Sequence, residues 1–151
     1  MALPELTDSG ELPLGVHSAS MKETLARFGV GHAQRIAVGE RLKRIYQLAA
    51  STGHLARFVV YGSFVTDKSQ PNDVDVFLVM DDDFDGDQLD AKAALLFDHA
   101  AADAHFGASV FWVRRTTAFG GEQAMVEYWQ AKRGGGQRGI IGIVEDSNAH
   151  E

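Results

Sequence analysis

The chain has 151 residues, a formal net charge of −7 at pH 7, 45% hydrophobic residues and no cysteine. That length suffices for one domain with a real core, and the missing thiols exclude disulfides, thiolate metal sites and a cysteine nucleophile while fitting a reducing compartment. No apolar run approaches a membrane span and residues 1–10 lack the basic and apolar regions of a signal peptide, so a cytoplasmic protein with no membrane partner is expected.

The charge is uneven. Residues 1–60 hold seven Lys/Arg and five Asp/Glu, residues 61–100 hold two and ten, and residues 101–151 hold five and six. An acidic middle repels polyphosphate and nucleic acid unless cations intervene, and general DNA binding through counterion release is not expected.

Residues 1–19 read as an irregular N-terminal arm, punctuated by Pro4, Gly10, Pro13 and Gly15. Ser20 and Glu23 have the spacing of a capping box, which opens a short helix to about Phe28 that Gly29 and Gly31 stop. A second helix is expected over 32–51, with Ile36, Leu42, Ile45, Leu48 and Ala49 at helical spacing and Arg35, Arg41, Lys43 and Arg44 mostly on its outer face. Residues 58–61 and 74–80 read as strands. Phe64 and Val65 between them form a short turn of helix that packs inward. Residues 81–90 make an acidic connection, and one helix is expected over 88–105. Residues 108–114 have high strand propensity. A helix over 122–132, a break at Gly134, Gly135 and Gly136, and a last strand over 139–144 complete the pattern. The domain is thus expected over 20–145, with a frayed tail over 146–151. The fold class is α/β (α+β), a mixed sheet of about four strands backed by helices.

The chemistry concentrates between the first two strands. Tyr61-Gly62-Ser63 closes one hydrophobic run, and Asp73-Val74-Asp75 opens the next. Residues two apart on a strand project from one face, and two carboxylates on one face suit a hard divalent cation. A charge inside an apolar strand is costly without a compensating partner. Glycine lets the backbone turn sharply and lets a phosphate approach its N–H groups, and Ser63 adds a hydroxyl donor. Asp73 and Asp75 are therefore read as magnesium ligands, with Gly62 and Ser63 holding nucleotide phosphate across from them. Lys68, in the same loop, is a further nucleotide-binding candidate. Arg114, Arg115, Lys132, Arg133 and Arg138 are weighed as phosphate contacts against ordinary surface solvation.

The segment from Tyr61 to Asp67, followed by Pro71-Asn72-Asp73-Val74-Asp75-Val76, resembles the signature of the DNA polymerase beta-like nucleotidyltransferase superfamily, and most of all its small bacterial members, the minimal nucleotidyltransferases. The resemblance is close over about residues 57–80. It implies transfer of a nucleoside monophosphate, AMP by preference, from a nucleoside triphosphate to a protein or RNA acceptor, with Mg2+ as cofactor and Asp73 and Asp75 as the catalytic and metal residues. It also implies a bacterial toxin–antitoxin or phage-defence setting. Members of the superfamily usually carry a third carboxylate on a later strand. The matching strand here, residues 108–113, has no acid, and Ser109 is its nearest polar residue. A catalytically silent module that binds a partner is the alternative.

Other features read more plainly. Asp81, Asp83, Asp85 and Gly86 match half of a calcium loop, but Lys92 stands at the twelfth position, so a solvated acidic loop is expected. The triple glycine lacks the lysine and helix of a Walker loop. The histidines show no zinc spacing, His99 and His105 read as surface or packing residues, and Trp112 and Trp129 read as core.

Overall fold

The computed structural model describes residues 3–118, 120–132 and 134–145. Five strands form one sheet: β1 (Val16–Ser20), β2 (Leu55–Tyr61), β3 (Val74–Met80), β4 (Ala108–Arg114) and β5 (Ile140–Val144). Their order is β1-β5-β2-β3-β4. β1 runs parallel to β5, β2 is antiparallel to both β5 and β3, and β4 is parallel to β3. The class is the mixed, helix-backed sheet that the sequence predicts, with one strand more. The expected tail over 146–151 lies outside the described residues.

The additional strand is in the stretch read as an irregular arm. β1 has no clean alternation of apolar and polar residues, so nothing local announces it. Its pairing is with the last strand of the chain, from Val16 opposite Ile140 to Ser20 opposite Val144. Leu12 just before it is a core residue.

Five α-helices flank the sheet: α1 (Met21–Phe28), α2 (Ala33–Ser51), α3 (Ala91–Leu96), α4 (His99–Phe106) and α5 (Glu122–Tyr128). The capping box of α1 is formed. The Glu23 N–H donates to Ser20 Oγ at 3.0 Å, and the Ser20 N–H donates to Glu23 Oε1 at 3.2 Å. In α2 the buried face carries Arg35, Val38, Gly39, Leu42, Ile45 and Ala49. Ile36, expected inside, is 51% exposed, and Arg35, expected outside, is 8% exposed. Leu42, Ile45 and Ala49 are buried as expected, and only the first turn exchanges Ile36 for Arg35, because the guanidinium finds partners that only tertiary structure supplies.

The single helix expected over 88–105 is two. Asp98 caps α4 by accepting the Ala101 N–H at 3.0 Å. Phe97, at the break, packs on Phe84 and Trp112 at ring distances of 4.7 and 5.5 Å. The break leaves carbonyls unpaired within the helix, and the Trp112 indole donates to that of Phe97 at 3.0 Å. α5 also stops four residues early, because the chain turns back to pair Ala131 with Gln137.

Helices α1 to α4 cover one face of the sheet, burying Phe58, Val60, Val76, Leu78 and Met80. Among the described residues, the helix on the other face is α5, whose Val126 packs with Val59, Phe77, Val79 and Ile140. Strands β2 and β3 are therefore apolar on both sides over most of their length. α5 is too short to cover the whole second face, and the uncovered end is where Asp75 lies. Among the described residues no helix is long and apolar enough to cross a membrane.

Candidate functional site

β2 ends at Tyr61, and Gly62 follows with φ of +83°. That left-handed backbone region suits glycine alone among ordinary residues. A Cβ here would lie 2.0 Å from Asp75 Oδ2, so the glycine also makes room for the carboxylate. A single 3-10 turn over Ser63–Val65 comes next and buries Phe64 and Val65, as the sequence suggests. The Thr66 hydroxyl donates to the Ser63 carbonyl at 2.7 Å and closes the turn.

Arg35 holds this loop from beneath. Its guanidinium donates to the carbonyls of Phe28 at 3.1 Å, Phe64 at 2.8 Å and Thr66 at 2.6 Å, and also to that of Lys68. A planar fork of donors suits converging carbonyls. Burial pulls the guanidinium's pKa down from its ordinary value, and nearby Asp67 opposes that pull. From outside, the N-terminal segment is pinned to the same loop by the Asp67 N–H, which donates to the Gly10 carbonyl at 2.9 Å.

On the other side of the turn, Asp75 sits in register between Tyr61 of β2 and Ser109 of β4. Gly62, Ser63, Asp73, Asp75 and Ser109 line one cleft of about 640 Å³. Both aspartates are half-buried. Among the described residues that line the cleft they are the only carboxylates. The other acids near the expected third position are engaged elsewhere or face away: Glu122 pairs with Arg115 at 2.8 Å, Glu127 accepts from Gln123, and Asp103 lines a separate pocket beside Arg41 and Arg44. Lys68 is exposed and does not line the cleft. Its backbone carbonyl, bound by Arg35, is what it contributes to the loop.

The far wall comes from the C-terminal third. Tyr128, Trp129, Lys132 and Arg138 face the cleft together with Phe111 and His99. Glu11 pairs with both cations, at 3.0 Å to Lys132 Nζ and 3.4 Å to Arg138. The hydrogen bond from Lys132 and the two positive charges hold the Glu11 carboxyl below its usual pKa, against the opposing effect of burial.

A family model described as Family of unknown function (DUF6932) matches residues 4–144. The chain belongs to the DUF6932 family. No curated protein and no solved structure matches it.

Three parts of this DUF6932 site escape sequence reading. The first is His99, taken as a surface or packing residue. Its ring stacks on Phe111 at 4.5 Å and 24°, and Nδ1 lies 3.2 Å from the Val110 carbonyl. A carbonyl only accepts, so Nδ1 is the donor in this contact, and in the neutral ring Nε2 is then the nitrogen with the lone pair. The second is Trp129, which borders core and cleft rather than sitting inside the core. The third is the pair of cations, two of the five basic residues that the sequence left between phosphate contact and solvation. Of the others, Arg114 donates to the Phe84 carbonyl and lies over the Trp112 ring, Arg115 pairs with Glu122, and Arg133 lies outside the described residues.

The carboxylates of the acidic run of the DUF6932 chain go to different partners. Asp82 accepts the N–H and hydroxyl of Thr116 at 2.9 and 2.8 Å, bonds that hold its carboxyl below the usual range. Asp85 caps its own turn by accepting the Asp87 N–H. Asp81 and Asp83 approach His54, with ligand atoms of the three within 4.8 Å of one another. That group lies at the start of β2 and the end of β3, the opposite end of these strands from Asp75.

Proposed function

We propose that this chain is a magnesium-dependent nucleotidyltransferase that moves a nucleoside monophosphate, AMP by preference, from a nucleoside triphosphate to a protein or RNA hydroxyl. The observation that carries the reading is the convergence of Asp73, Asp75, Gly62 and Ser63 on one cleft, with the Asp75 carboxylate against the Gly62 backbone. Two half-buried aspartates supply hard oxygen donors and leave most of an octahedron to water and phosphate, which is how magnesium is usually held. Asp73 and Asp75 would hold the ion, which when bound neutralises the triphosphate and polarises its alpha phosphorus.

The chain's own groups divide the remaining work. Ser63 donates to a phosphate oxygen from the turn, and Lys132 and Arg138 offset phosphate charge from the opposite wall. With no third carboxylate among the described residues that line the cleft, His99 Nε2 in the neutral ring takes the proton of the acceptor hydroxyl. The acceptor oxygen then bonds to the alpha phosphorus as the bond from that phosphorus to the bridging oxygen breaks. Pyrophosphate leaves with the electron pair. A toxin–antitoxin or phage-defence role follows from the sequence resemblance alone.

One observation favours the silent, partner-binding alternative: the residue beside Asp75 on β4 is Ser109 and not an acid. The test is incubation with magnesium and nucleoside triphosphates labelled at the alpha phosphate. Label should pass to an acceptor with the wild-type chain and should vanish with Asp73→Ala and with Asp75→Ala. Unchanged labelling in both variants removes these residues from the mechanism. Nucleotide binding without any transfer supports the silent reading.

A further inference from the structure

Six large hydrophobic side chains are exposed among the described residues, and the two aromatic ones are Phe111, at 40%, and Tyr128, at 64%. Both line the same cleft as the aspartate pair. Leaving two large aromatic rings open to water at one place is unfavourable unless something covers them.

The rings are not loose. Trp129 joins them: Phe111 lies 5.3 Å from it at 25°, and Tyr128 stands nearly perpendicular to it at 5.5 Å and 86°. Behind Trp129 are Tyr61 at 4.8 Å and Phe77 at 5.0 Å. Phe77 is a core residue of the central strand β3. His99 extends the series on the far side of Phe111. A row of rings thus runs outward from the core, with Phe111 between Trp129 and His99, and its exposed rings are Phe111 and Tyr128. Trp129 Nε1 is buried, with no hydrogen-bond partner among the described residues, so the indole does not present its N–H to the cleft for reading a base edge.

We propose that the Phe111–Tyr128–Trp129 wall is a nucleobase subsite, where the base of the bound nucleoside triphosphate stacks while its phosphates reach toward Gly62, Ser63 and the aspartates. This rests on the nucleotidyltransferase reading above and adds to it where the base goes and how selective the site is. A cleft of about 640 Å³ lies within the usual range for a small-molecule site. The segment that carries Tyr128 and Trp129 continues directly to Lys132, so base wall and phosphate cation come from one stretch of chain. Stacking tolerates any base, because every base has a π face. The site should therefore take all four nucleotides with the larger purine rings ahead, so that ATP is favoured over the pyrimidines by ring size and not by base-edge contacts.

The experiment is calorimetric titration of the full chain in magnesium with ATP, GTP, CTP, UTP, inorganic tripolyphosphate and a short single-stranded RNA without terminal phosphates. The four nucleotides should bind within about tenfold of one another, and tripolyphosphate should bind about tenfold or more weakly than ATP. Phe111→Leu and Tyr128→Ala should bring ATP toward the tripolyphosphate value and leave tripolyphosphate unchanged. Tyr128 is largely exposed, so its variant tests the subsite even if the Phe111 variant is unstable. Equal binding of ATP and tripolyphosphate, or ATP binding indifferent to both substitutions, overturns the base subsite while leaving the metal and phosphate reading intact. RNA binding that depends on the two rings without any preference for ATP over tripolyphosphate assigns the wall to the acceptor and also overturns it. Failure of every probe to bind defeats both proposals.

Discussion

Gly62 carries two constraints at once. Its positive φ costs about 1–2 kcal/mol for a residue with a Cβ, and the Asp75 carboxylate occupies the place where that Cβ would go. Gly62→Ala should lower stability by about that amount in a thermal melt. It should cut label transfer by about a hundredfold, because displacing a reacting group by an ångström has effects of that order. Arg35 is the complementary case, a charge turned inward to four carbonyls. Arg35→Met leaves those carbonyls without their donors and should cost about 3 kcal/mol or more, measured by denaturant unfolding. Arg35→Lys should recover only part of this, since an ammonium cannot reproduce the planar fork.

At the scale of elements, the N-terminal segment acts as a clasp. Glu11 bridges to Thr66 of the motif loop and pairs with Lys132 and Arg138 on the opposite wall. Its pKa is lower in the folded chain than the ordinary 4.5. A depressed carboxylate adds stability above its unfolded pKa, and that stability is lost as pH falls through the folded value. Glu11→Gln should therefore melt lower than the wild type at pH 7, by about 1 kcal/mol. The gap should close as the pH drops below about 4.5. A gap that does not narrow at all as the pH falls below that point would assign the loss to packing and not to charge. The same substitution releases two cations into the cleft and should tighten tripolyphosphate binding.

At the scale of the molecule, the order of strands in the sheet is far from their order in the chain. β5 is last in sequence, yet it lies between β1 and β2 and brings Ile140 and Ile141 into the two cores. Such non-local pairing must pay loop-closure entropy before its contacts form, so folding should be slow for a chain this size. A chain ending at Gln137 would have β1 without its partner and one edge of β2 open. It should show no cooperative thermal transition by circular dichroism.

Much of the framework is legible because its signals are local. The capping box at Ser20 and Glu23, the core strands, and the two-residue spacing of Asp73 and Asp75 depend on neighbours in sequence and on the pleat. Half of the candidate site is legible for the same reason, since one turn joins Gly62 and Ser63 to the start of the next strand. The opposite wall is not legible. His99, Phe111, Trp129, Lys132 and Arg138 come from a helix, an edge strand and a closing turn whose meeting no local pattern encodes.

The sequence by itself determined the helix-backed sheet and one side of the cleft, because periodicity and turn chemistry act over a few residues. Tertiary structure alone decided that β1 exists, that Arg35 faces inward, that one helix is split at Asp98, and which rings and cations complete the site. Each of these depends on hydrogen bonds or ring contacts to a partner distant in the chain, and a partner of that kind leaves no trace in the local pattern it overrides.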